Sequence, residues 1–144
     1  MDMNTSDVIS LISKIRQKVN GFIVSELTSH GVEGIVVSHG DILFALYRRD
    51  RMTMADIARQ ISKDKSTVTS LVDKLIKLGY VTKERDTKDC TEVYVGLTTK
   101  GKDLEPIFQN ISKHVVEVFY QNISERDKEE LLRILTLIDG NFDS

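Results

Sequence analysis

Two lysines bracket a run of short hydroxyls near the middle of the chain: Lys65, Ser66, Thr67, Thr69, Ser70 and Lys74. On a helix whose inward stripe is Val68, Leu71, Val72 and Leu75, these six residues point outward. Short hydroxyls let a helix lie close to base edges and phosphates, and each can donate or accept a hydrogen bond. The lysines add cations for phosphate neutralisation. Other chemistries lack their parts. His30, His39 and His114 are nowhere three or four residues apart, so they read as structural or cap-adjacent histidines and no metal site is expected. No serine stands in a nucleophile elbow, and no glycine-rich loop is set to cradle phosphate, so neither an enzyme nor a cofactor is expected.

The elements that must carry this face are mostly helical. Val8, Leu11, Ile12, Ile15, Val19, Phe22, Ile23 and Leu27 make one stripe of a long amphipathic helix that stops at Gly31 and Gly34. Ser38 with Asp41 predicts the cap of a second helix, which Tyr47 to Arg51 closes with positive charge. Thr53 with Asp56 opens a short third helix, and Asp64 caps the fourth, which Gly79 ends. The third and fourth together predict a helix-turn-helix. Strands are predicted over Tyr80 to Glu84 and Thr91 to Leu97, with a polar hairpin loop between them. Thr98 caps a fifth helix, in which Pro106 predicts a bend or a break, and Ser124 with Asp127 opens a sixth.

Composition narrows the class. The chain has 144 residues, 40% hydrophobic and 29% charged, which suits one folded domain. Aromatics make up 6% with no Trp, which argues against base-stacking platforms and ring-lined sugar clefts. Net charge is −2, yet residues 51–102 carry +4 and the remainder −6, so a basic middle coincides with the helix-turn-helix. The single Cys90 excludes an intramolecular disulfide framework and, with no signal-like start, points to a reducing, cytoplasmic address. No apolar run approaches the ~18 residues that span a bilayer, so no membrane partner is expected.

The run from Asp64 to Leu75, then Leu78-Gly79-Tyr80-Val81, then Asp86 and Asp89, then Leu97-Thr98-Thr99-Lys100-Gly101, resembles the MarR family of winged-helix transcription regulators. The fold expected is mainly α with a small β-hairpin wing (α+β), in one domain over residues 1–144. Residues 38–101 would form the DNA-binding lobe, with 1–31 and 102–144 the dimerisation lobe. The resemblance implies a homodimer on double-stranded DNA, each fourth helix in a major groove and each wing over the flanking minor groove. Carried onto this chain, Lys65, Ser66, Thr67, Thr69, Ser70 and Lys74 become groove or phosphate contacts, and Lys83, Arg85 and Lys88 wing contacts. Two departures stand out. Ser70 replaces an arginine common in the family, and Cys90 and Thr91 stand where the wing carries arginine. Weaker wing readout is expected.

Many members of that family are repressors released by small, often aromatic ligands, which implies a small-molecule effector here. Phe22, His39, Phe44 and Tyr47 are the candidate pocket residues. Dimerisation has its own support in the residues: Phe119, Leu131, Leu135, Ile138 and Phe142 exceed what one small core can cover. Cys90, flanked by Lys88, is a candidate thiolate, although oxidant sensors of the family place their cysteine near the dimer lobe. The rival reading is a winged helix used for protein–protein assembly without DNA.

Overall fold

The computed structural model describes residues 4–86, 88 and 92–143. Among them the order is α1 (Asp7–Ser29), α2 (Val37–Arg49), β1 (Arg51–Thr53), α3 (Met54–Ile61), α4 (Lys65–Lys77), β2 (Val81–Arg85), β3 (Val93–Leu97), α5 (Thr99–Asp103), α6 (Glu105–Phe119) and α7 (Glu125–Asn141). The architecture is the expected mainly helical one with a small antiparallel sheet. The chain forms two compact units, one running to Ile111 and the other from Ser112.

In the first unit, apolar residues at helical spacing converge on one core. Ile42, Leu43 and Leu46 of α2, Ile57 of α3, and Val68, Val72 and Leu75 of α4 are all buried, with Leu27 of α1 and Phe108 and Ile111 of α6. The sheet has the order β1-β3-β2 and supplies Met52, Val81 and Val95 to that core. Within it, Val95 pairs with Met52 on one side and Lys83 on the other.

Several sequence expectations need correction. The stretch Tyr47 to Arg51 does not simply close α2. Asp50, at φ 66°, turns the chain out of the helix, and Arg51 already belongs to the extra strand β1. Ser38 and Asp41 do not cap α2, because the helix begins one residue before Ser38. Its N-terminal N–H of Val36 instead donates to His39 Nδ1 at 2.9 Å. The strand expected from Thr91 begins at Val93 within the described residues. The expected fifth helix is two, α5 and α6, divided at Leu104. Pro106 accounts for the break: it has no N–H for the carbonyl of Lys102, and its ring crowds that turn.

In the second unit, Ser124 Oγ accepts the Asp127 N–H at 3.1 Å and starts α7 as expected. Phe119 and Tyr120 meet edge to face at 4.9 Å, and Lys128 Nζ lies 5.0 Å from the Tyr120 ring. No described residue of α7 is buried. Val116, Phe119, Leu132, Leu135, Leu137 and Ile138 all stand exposed, as do Val8, Ile9, Leu11, Ile12 and Ile15 on α1 of the first unit.

Candidate nucleic-acid interface

The outward face of α4 is held at both ends by its own capping residues. Ser62, in the left-handed region at φ 55°, ends α3 and lets the chain turn within two residues to Asp64. The Asp64 carboxylate accepts the Thr67 N–H at 2.7 Å and the Ser66 hydroxyl at 2.9 Å. Those bonds, that from Thr67 first, hold the carboxyl below the usual aspartate range, so the cap is ionised at neutral pH. At the other end Gly79, at φ 87°, supplies the left-handed turn that a Cβ would strain.

Along the helix, Lys65, Ser66, Ser70 and Lys74 are exposed, as the sequence pattern predicts, whereas Thr67 and Thr69 are half-buried. Two hydroxyls are engaged: Ser66 with Asp64, and Thr69, whose Oγ1 donates to the Lys65 carbonyl at 2.9 Å. That back-bond to the residue four earlier is the usual resting place of a mid-helix threonine. Among the described residues, Lys65 and Lys74 form no ion pair. Lys77, overlooked in the sequence reading, is exposed on the same stripe as Ser66, Ser70 and Asp73. Helical spacing from Ser66 already contained that signal.

The wing cations have different surroundings. Lys83 Nζ pairs with Asp73 of α4 at 3.2 Å, so this candidate contact bridges α4 to β2. Both partners are substantially solvated, so the coupling energy is expected at no more than ~1 kcal/mol. A double-mutant cycle of Asp73→Ala and Lys83→Ala in urea unfolding measures it, and a larger value would mean the pair is part of the core of the wing. Arg85 is exposed at the end of β2. Lys88 is also exposed, and its N–H donates to Asp86 Oδ1 at 2.9 Å. Asp89, Cys90 and Thr91, with the arginine substitution and the candidate thiolate, lie outside the described residues.

The candidate pocket residues are divided in their roles. His39 is buried, and burial first, then the charge of Lys74, lowers its pKa, which keeps the ring neutral to accept the Val36 N–H. Phe44 meets Phe108 at 5.5 Å and Tyr47 at 6.2 Å, both edge to face. Burial raises the Tyr47 pKa, and its hydroxyl donates to the Gly101 carbonyl at 2.8 Å. Phe22 is half-buried on α1. Among the described residues no group of three or more His, Cys, Asp or Glu is placed to hold a metal ion, and no helix is long and apolar enough to cross a membrane.

A MarR family model matches residues 30–89, which contain α2, α3, α4 and the start of the wing. The HTH-type transcriptional regulator SarZ of Staphylococcus saprophyticus is 34% identical over 113 residues, spanning 77% of each chain. The chain belongs to the MarR family. A MarR transcriptional regulator from Methanosarcina mazei has the same fold, with a TM-score of 0.80 at 27% identity, over 95% of this chain and 96% of that one. Staphylococcus aureus MepR, solved as a complex with DNA, superimposes with a TM-score of 0.84 at 23% identity, over 98% of this chain and all (100%) of MepR. Within this MarR-family fold, α3 and α4 are the helix-turn-helix and β2–β3 is the wing.

Proposed function

We propose that this MarR-family protein is a sequence-specific, DNA-binding transcription regulator, a ligand-responsive repressor that acts in the cytoplasm as a homodimer on a pseudo-palindromic operator. The observation that carries the reading is the outward face of α4, where Lys65, Ser66, Ser70 and Lys74 stand exposed on a helix capped at both ends. Thr67 and Thr69 flank that face, and Lys83, Arg85 and Lys88 extend it toward a minor groove. The fold shared with DNA-bound MepR supports this assignment. Residues 38–101 are then the DNA-binding lobe, and 1–31 with 102–144 the dimerisation lobe.

Dimerisation is supported by the apolar side chains left in water on α1, α6 and α7. Covering ~1,000 Å² of such surface contributes about 25 kcal/mol before the costs of association. Two-fold symmetry then offers a pair of α4 helices to grooves ~34 Å apart. An effector near Phe22, His39, Phe44 and Tyr47 would act by favouring a dimer whose helices no longer match that spacing.

The test combines sedimentation with fluorescence anisotropy, using duplexes that tile the DNA upstream of the protein's own coding region. A dimer is expected, with one duplex preferred and affinity falling steeply as salt rises. A monomer, or a dimer indifferent to every duplex, would reject the reading, and indifference would favour the rival assembly module.

A further inference from the structure

The Leu-Thr-x-x-Gly element that follows the wing is usually met as a sequence signature, but here it has a mechanical arrangement around the end of α4. Two terminal bonds close that helix, from the Gly79 N–H to the Ile76 carbonyl and from the Tyr80 N–H to the Leu75 carbonyl, both at 2.9 Å. The next carbonyls along the chain have no helical partner. Lys100 Nζ donates to Leu78 O at 2.9 Å, Thr98 Oγ1 to Gly79 O at 2.6 Å, and the Thr98 N–H to Tyr80 O at 3.1 Å. Three successive acceptors between α4 and β2 are therefore taken by one short segment, Thr98 to Lys100, that runs from the end of β3 into α5.

Each partner is fixed in turn. Thr98 Oγ1 also accepts the Gly101 N–H at 3.0 Å as the cap of α5, so the hydroxyl is engaged as both donor and acceptor. Lys100 stands 4.9 Å from the Tyr80 ring centroid, and its ammonium lies at the negative end of the α4 dipole. Gly101 approaches so closely that a Cβ there would lie 2.1 Å from Tyr80 O.

We propose that Thr98 and Lys100 are positioning residues for DNA binding. They tie the C-terminal end of α4 to the base of the wing, so that the helix and the hairpin meet the duplex at one fixed angle. This rests on the DNA-binding reading above. A carbonyl clamp of this kind acts on base readout, because a small rotation of α4 moves side chains off base edges while phosphate contacts adapt.

The experiment compares the full-length wild type with Thr98→Val, Thr98→Ser, Lys100→Met and Lys100→Arg. Anisotropy is measured against a duplex selected by the wild type from a random pool and against a scrambled duplex of equal length, over a range of salt. Thr98→Val and Lys100→Met are expected to lose about tenfold on the selected duplex and little on the scrambled one. The salt slope is expected to stay unchanged, and Thr98→Ser to restore most of the loss. Equal losses on both duplexes that track a lowered Tm, with no rescue by serine, would show a stability role alone and overturn the proposal. A slope shallower by ~0.9 in Lys100→Met would make Lys100 a phosphate contact and overturn its part. Should Thr98→Val fail to fold, Lys100→Met and Lys100→Arg decide the matter. A wild type that selects no duplex overturns the DNA-binding reading as well; wild-type binding by all four variants overturns the clamp alone.

Discussion

Gly101→Ala is expected to destabilise the protein by at least ~3 kcal/mol, or to leave it insoluble. An alanine Cβ would sit 2.1 Å from Tyr80 O, 3.1 Å from the Tyr80 carbonyl carbon and 3.2 Å from Leu97 Cδ2. The closest of these is backbone, which no rotamer change can move. To admit the methyl group, α5 must withdraw from the chain between α4 and β2. That movement breaks the Thr98 and Lys100 bonds to it, and the Tyr47 bond to Gly101 with them. Each hydrogen bond contributes about 1 kcal/mol and overpacking costs ~1–3 kcal/mol, so the effects compound. The sign is what makes the result informative. Glycine to alanine within a helix ordinarily stabilises by ~0.5–1 kcal/mol. Gly21, inside α1 with nothing within 4 Å of its missing Cβ, should behave in that ordinary way. Urea unfolding of the two variants side by side checks both directions, and a Gly101→Ala protein as stable as wild type would mean α5 does not approach Tyr80 this closely.

How much of this was readable beforehand depended on range. α4 was legible because its signals are local: Asp64 to cap it, an inward stripe of Val68, Leu71, Val72 and Leu75, and Gly79 to end it. β1 was not, since three residues cannot display a two-residue period, and Arg51, Met52 and Thr53 become a strand only by pairing with Gly96, Val95 and Tyr94. The cap of α2 was misplaced because serine is the commoner capping residue, while here the His39 ring does that work. Pro106 gave warning of a break, and the break falls two residues before it, at Leu104. On the candidate site, the pattern identified Lys65, Ser66, Ser70 and Lys74 as outward, but placed Thr67 and Thr69 with them although both are half-buried. It said nothing of the Asp73–Lys83 pair, whose partners lie on different elements, or of the Thr98 and Lys100 bonds, which span 19 and 22 residues.

The second large effect is on DNA. Lys65→Glu and Lys74→Glu together are expected to weaken binding to the selected duplex by at least ~100-fold, because like-charge juxtaposition at an interface costs several kcal/mol. Each is exposed, and neither forms an ion pair among the described residues, so no ion pair there is lost with the charge. Lys65 is the more discriminating position. As the first residue of α4 it stands at the positive end of the helix dipole, where glutamate is favoured by ~0.3–1 kcal/mol. The Lys65→Glu protein should therefore unfold at the same or higher urea concentration while binding DNA less tightly, which separates contact from stability. Lys74 differs, because its charge helps keep His39 neutral. Reversing it shifts the His39 pKa upward, so the neutral form that accepts the Val36 N–H is favoured less strongly in mild acid, and binding is best compared at pH 7.5 or above. Each lost phosphate contact should also lower the salt slope by ~0.9. If the doubly reversed protein, still dimeric by sedimentation, binds the selected duplex as tightly and with the same slope as wild type, the outward face of α4 does not meet the DNA.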